Sequence, residues 1–176
     1  MEELKYPIGK FIMPVSVTEK HIQEWINDIA IFPTQLANTL NDIDQNLLAA
    51  SYRVNGWSIK QIVHHLADSH MHSYIRMKLA ITQNTPTINP YDENDWSVLT
   101  DANNYNINAS VLIIKGLHER WTTFLQSLSM NDLDKSFYHP EHKKTFSIKE
   151  NIGSYAWHGK QHLAHIQLAI TQPVYN

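Results

Sequence analysis

Three Ser-x-x-Glu or Ser-x-x-Gln boxes, each followed by a long stretch with apolar side chains at helical spacing, commit most of this chain to long amphipathic helices. The boxes are Ser16-Val17-Thr18-Glu19, Ser58-Ile59-Lys60-Gln61 and Ser147-Ile148-Lys149-Glu150. In such a box the first hydroxyl takes the backbone N–H three residues on, and the Glu or Gln side chain reaches back to the first residue's own N–H. The first box predicts a helix carrying Ile22, Trp25, Ile26, Ile29, Leu36 and Leu40, with a kink or interruption at Pro33. The second predicts a helix to about Thr82, with Ile59, Ile62, Val63, Leu66, Tyr74, Met77 and Ile81 on one face. The third opens a helix through Ile152, Tyr155, Ala156, Leu163, Ile166 and Ile170 to Pro173. A further stripe, Val111, Ile114, Leu117, Trp121, Phe124, Leu125 and Leu128, predicts a helix from Asn108 to Leu128 without a box of its own.

The connections carry information too. Asn84 to Ile107 contains Pro86 and Pro90 and has no sustained period. A connection longer than about 12 residues usually serves as a lid or binding loop unless it is disordered. Tyr91, Trp96 and Tyr105 within it favour packing over disorder. Phe137-Tyr138-His139 and Lys144-Thr145-Phe146 flank a turn and predict a short β-hairpin. The fold expected is all-α: a four-helix bundle with a long crossover loop and a small hairpin between the last two helices. At 176 residues the chain matches one domain, 1–176, against a norm of roughly 150.

Composition removes several functions. The 14 Lys and Arg against 17 Asp and Glu give a formal charge of −3, with no basic cluster to follow a phosphate backbone, so nucleic acid is not the expected partner. The absence of cysteine excludes disulfides, thiolate metal sites and cysteine nucleophiles. The start MEELKYPIGK carries acidic residues where a secretory leader would be basic and then apolar, and no run approaches about 18 apolar residues, which leads us to expect a cytoplasmic protein without membrane spans. Gly-x-Gly-x-x-Gly, P-loop and Gly-x-Ser-x-Gly patterns are missing, as is any Glu-x-x-His pair, so nucleotide cofactors, serine hydrolysis and ferritin-like di-iron chemistry lose their support.

What remains is an excess of histidine, 11 in all. His158 and His162 are spaced i,i+4 at the edge of the last helix's apolar stripe, partly dry yet reachable, as two ligands of one ion should be. His165 lies on the same flank, farther out. On the second helix His65, Ser69, His72 and Arg76 form a narrow polar line apart from the apolar face. This line reads either as a solvated face or as His65 completing a three-histidine site with a pocket beyond it. His70 falls on the apolar side, as a satisfied core histidine, and His64 points elsewhere. Three imidazoles leave a fourth coordination position open, which is the catalytic pattern for zinc, and a water there would titrate near about 7. Imidazole ligands equally suit nickel, copper and iron. The glutamate of HExxH metalloproteases is absent from His158-Gly159-Lys160-Gln161-His162. Arg76 suits a substrate carboxylate or developing anion, and Asp68, Ser69 and His72 are candidates for steadying the ligands or moving protons.

The stretches NGWSIKQIVHHLADSHMHSYIRMKLA, TPTINPYDENDW, FYHPEH and YAWHGKQHLAHI, in this order, resemble the DinB-like superfamily, and within it the YfiT-like metal-dependent hydrolases of bacteria. The resemblance covers nearly the whole chain. It implies a bundle of the DinB/YfiT type, usually a homodimer, with one zinc or nickel per subunit. The family's metal histidines fall on His65, His158 and His162, the three that the helical wheels select. Relatives often carry histidine at the position of Gln161, a neighbour of the ligands and not one of them. The first expectation is therefore hydrolysis of a small molecule by a metal-activated water. Some relatives are thiol transferases, so an S-transferase using bacillithiol or a similar low-molecular-weight thiol is the alternative. A metal-stabilised dimer without catalysis is the third reading.

Overall fold

The computed structural model describes residues 2–176. After a short N-terminal turn of helix, α1 (Glu2–Lys5), come the four long helices α2 (Glu19–Leu40), α3 (Ile59–Thr82), α5 (Asn108–Gln126) and α7 (Ile148–Thr171). Between them lie a 3-10 turn (Gln45–Ala49), the short helices α4 (Glu93–Ser97) and α6 (Met130–Leu133), and the antiparallel pair β1 (Ser136–His139) and β2 (Lys144–Ser147). Among the described residues no helix is long and apolar enough to cross a membrane.

Two expectations about α2 need correction. Its cap is Thr18, not Ser16, and His21 stands where Glu or Gln was expected: His21 N donates to Thr18 Oγ1 at 3.3 Å and Thr18 N donates to His21 Nδ1 at 3.1 Å. Nor does Pro33 interrupt the helix, which runs unbroken past it. A proline inside a helix costs about 3 kcal/mol partly because it lacks the N–H that the carbonyl four residues back requires. Here that carbonyl, Ile29 O, is taken instead by His118 Nδ1 of α5 at 2.7 Å. On α3 the Ser58 box forms as expected, with Gln61 Oε1 taking Ser58 N–H at 3.0 Å. On α7 only half of the box forms, because Glu150 turns away to Lys144 at 2.6 Å.

Packing fixes the order of the helices. α2 contacts α5 and α7, and α3 contacts the same two, so α2 faces α3 across one diagonal and α5 faces α7 across the other. The core is in two parts. One holds Ile22, Ile26 and Ile29 of α2, Tyr74 and Met77 of α3, Trp121 and Leu125 of α5, and Ile148 and Ile152 of α7. The other holds Phe32 and Leu36 of α2, Ile59, Ile62, Val63, Leu66 and Ala67 of α3, Ile114 of α5, and Ile166 and Ala169 of α7. The first part thus collects the N-terminal halves of α2 and α7 and the C-terminal halves of α3 and α5. Neighbours α3 and α5 therefore run parallel, and parallel neighbours require a connection that travels the length of the bundle. Segment 83–107 is that crossover. It is ordered by α4, capped by Asp92, and by a bridge onto the hairpin in which Ile88 N donates to Tyr138 O at 3.0 Å and Tyr138 N to Pro86 O at 2.9 Å. Residues between the two apolar parts on α3, α5 and α7 form a polar layer across the bundle.

Candidate metal centre

That layer is built largely of imidazoles. Ser69, His70 and Ser73 come from α3, His118 from α5, and His158, His162 and His165 from α7; all except His158 and His162, which are half-buried, are buried. Phe32 closes it from one side, with its ring centroid 5.5 Å from His70 and 5.4 Å from His118. Trp121 closes it from the other, 5.8 Å and 5.4 Å from the same two rings. Buried polar groups are tolerated when hydrogen-bonded, and these are. His118 Nε2 meets His70 Nδ1 at 2.7 Å, His70 Nε2 meets His158 Nδ1 at 3.1 Å, and Asn151 Nδ2 donates to Ser73 Oγ at 2.8 Å.

At the open edge of the layer, His65, His158 and His162 each offer a ring nitrogen, all within 4.8 Å of one another. Nε2 of His65 and Nε2 of His158 stand 3.3 Å apart. Trp57 packs on His65 with ring centroids 4.6 Å apart and lies parallel to His162 at 6.3 Å. Burial holds all three histidines well below the ordinary imidazole value; repulsion from His162 adds to this at His65, and repulsion from the neighbouring histidines adds at His158 and His162. They are neutral near pH 7, which is the protonation state a metal requires. Three neutral nitrogen donors with no carboxylate among them fit a borderline divalent ion.

The three line a cavity of about 790 Å³, together with Arg76, His139 and Tyr155. Arg76 is only 9% exposed, has no Asp or Glu within ion-pairing distance among the described residues, and leaves its Nε without a partner; its one hydrogen bond is a long one to Asn89 O at 3.4 Å. His139 Nδ1 is likewise unpartnered, and burial, then His142 and Arg76, bring its pKa down to about 4. Tyr155, whose hydroxyl lies 3.1 Å from Ser69 Oγ, is pushed up by burial and keeps its proton.

The polar line read on α3 therefore divides. His65, Ser69 and Arg76 face the cavity, whereas Asp68 and His72 do not line it. His72 donates Nδ1–H to Asp68 O at 2.8 Å and stacks on Tyr91 of the crossover, with ring centroids 4.3 Å apart. Asp68 is raised by burial and by Asp101, with His72 and His64 opposing. His70 is the satisfied core histidine expected, yet one of its two partners is the candidate ligand His158, the other being His118. His118 was not singled out by spacing. Its signal was a titratable residue in the middle of an apolar stripe, between Ile114 and Trp121.

A sequence profile of the DinB superfamily matches residues 31–166. The chain belongs to the DinB superfamily. Its DinB relatives include an Oceanobacillus iheyensis protein, 51% identical over 162 residues (92% of this chain, 93% of the relative), and a Bacillus cereus protein, 46% identical over 166 residues (94% and 95%). Both are named, provisionally, as metal-dependent hydrolases. Among solved structures the DinB fold here is similar to YfiT from Bacillus subtilis, described as a probable metal-dependent hydrolase with an unusual four-helix bundle topology. The TM-score is 0.92 at 39% identity, covering 95% of this chain and 96% of that one. The diagonal placement of α2 against α3 in this chain departs from simple up-and-down order.

Proposed function

We propose that this chain is a metal-dependent hydrolase of small molecules, in which His65, His158 and His162 hold one divalent cation, zinc or nickel. The observation that carries the reading is the convergence of three neutral imidazoles at the wall of a large cavity, with no fourth His, Asp or Glu joining the set among the described residues. A divalent ion there supplies Lewis acidity and brings the pKa of water toward about 7. The protein's own groups do the rest. Trp57 and the buried layer exclude bulk water from one side of the histidines. The Arg76 guanidinium, buried and without a carboxylate partner, orients a carboxylate or another anionic group of the substrate. The Tyr155 hydroxyl, held protonated by burial, can donate to negative charge developing in the cavity.

Elemental analysis of untagged protein tests the site. Near one zinc or nickel per chain is expected in the wild type, with loss in both His65→Ala and His158→Ala. Absence of divalent metal from the wild type after reconstitution overturns the reading.

A further inference from the structure

The hydrogen bonds behind His158 have a direction. Ile29 O is a carbonyl and can only accept, so the His118 nitrogen 2.7 Å from it, Nδ1, carries the proton. A neutral imidazole has one N–H, which leaves His118 Nε2 as a bare acceptor. The His70 nitrogen 2.7 Å from that acceptor, Nδ1, must then donate, and His70 Nε2 is left bare in turn. It faces His158 Nδ1 at 3.1 Å, which must donate, so the lone pair of His158 is confined to Nε2. That nitrogen is the one standing 3.3 Å from His65 Nε2 at the candidate centre. Each step is forced by the one before it, and the first arises from Pro33, whose missing N–H frees the Ile29 carbonyl.

We infer that His70 and His118 are positioning residues: anchored on the carbonyl that Pro33 leaves free, they hold His158 in the Nδ1–H tautomer with its lone pair aimed at the metal site. His162 shows a shorter version of this arrangement. His165 Nε2 donates to Lys5 O at 3.1 Å, and His165 Nδ1 lies 3.4 Å from His162 Nδ1, which again leaves Nε2 of the candidate ligand bare. Without an anchor, a neutral histidine divides its population between two tautomers and several ring orientations, and each costs affinity when the ion selects one.

The inference rests on the metal reading only for its purpose, and the tests separate the two. In metal-free protein, long-range nitrogen–proton correlation spectra should show His158 as the Nδ1–H form alone. In His118→Phe, which keeps a planar ring and removes both hydrogen bonds, a mixture of His158 tautomers is expected. In His118→Gln the amide nitrogen can donate to Ile29 O and the amide oxygen can accept from His70, so the single tautomer should return. Zinc affinity by chelator competition should follow the same order: a loss of roughly tenfold in His118→Phe, in line with the 10- to 100-fold typical of residues that orient a ligand, and recovery to within about threefold in His118→Gln. A pure Nδ1–H His158 in His118→Phe, or equal zinc affinity in the wild type and His118→Phe, overturns the inference. Failure of the wild type to bind zinc overturns the metal reading alone, since the tautomer result stands without it. Should His118→Phe not fold, His70→Leu against His70→Gln poses the same question one step nearer the ligand.

Discussion

A histidine sealed into a protein interior must give up its charge, and here several do so together. His118 is brought down to about 4 by burial, against the help its cation would receive from the Ile29 carbonyl. In the unfolded chain it titrates near about 6.5. Above that value both states are neutral and the group costs nothing. Below it the unfolded state takes up a proton that the folded state refuses, so stability is lost as pH falls from about 6.5 to about 4, on the order of 3 kcal/mol for His118 alone. His70, held well below the ordinary imidazole value by burial and by its histidine neighbours, acts in the same direction. Urea titrations of metal-free protein across this range should show a steep fall in midpoint, shallower by about one proton in His118→Gln; an equal slope in the two would place the titration elsewhere. The grouping of His65, His158 and His162 was legible because the helical wheels put them at fixed angles on α3 and α7 and the family resemblance then singled out the same three. His118 was not, because its role depends on a carbonyl released by a proline in another helix, and no spacing within one helix encodes that.

At the level of the elements, the boxes marked where α3 and α7 begin, because capping is local chemistry that depends on four consecutive residues. The same rule placed the start of α2 two residues early, since an imidazole can serve where Glu or Gln is usual. Helix α4 stayed hidden because five residues are too few to show a period. Local preference also misleads at Gly159, in the middle of α7. Replacing glycine by alanine inside a helix normally gains up to about 1 kcal/mol. Here a Cβ would stand 3.0 Å from the ring of Phe32, which is itself wedged against His70 and His118 and has nowhere to go. Gly159→Ala is expected to lose about 1–2 kcal/mol net in chemical denaturation, the usual cost of overpacking. A gain in stability would show that α2 and α7 can separate freely at this point.

Across the whole molecule, the amphipathic stripes announced a bundle but not its order, because every stripe is compatible with several neighbours. Only the contacts show that α2 faces α3 diagonally, and only the split core shows that α3 and α5 run parallel, which is why the crossover is long. The candidate ligands come from α3 and α7, so an ion bound by them ties together two helices far apart in the chain and stabilises the folded state by mass action. At a free zinc concentration about 100 times the dissociation constant this amounts to about 2.7 kcal/mol. For a chain of this size that corresponds to a rise in melting temperature of roughly 5–10 °C, reversible with chelator. Melting curves that do not move with zinc or nickel would mean the ion does not bridge α3 and α7.

The polar layer also bears on how such a protein can change over generations. Because it separates two apolar compartments that share few partners, a substitution that repacks the Leu125 end is not felt at the Leu36 end. Either end can drift, or be redesigned, on its own. The histidine layer has no such freedom, since from His158 through His70 to His118 each ring donates to the next and to no other, and one replacement must be answered by another that preserves the direction of the protons.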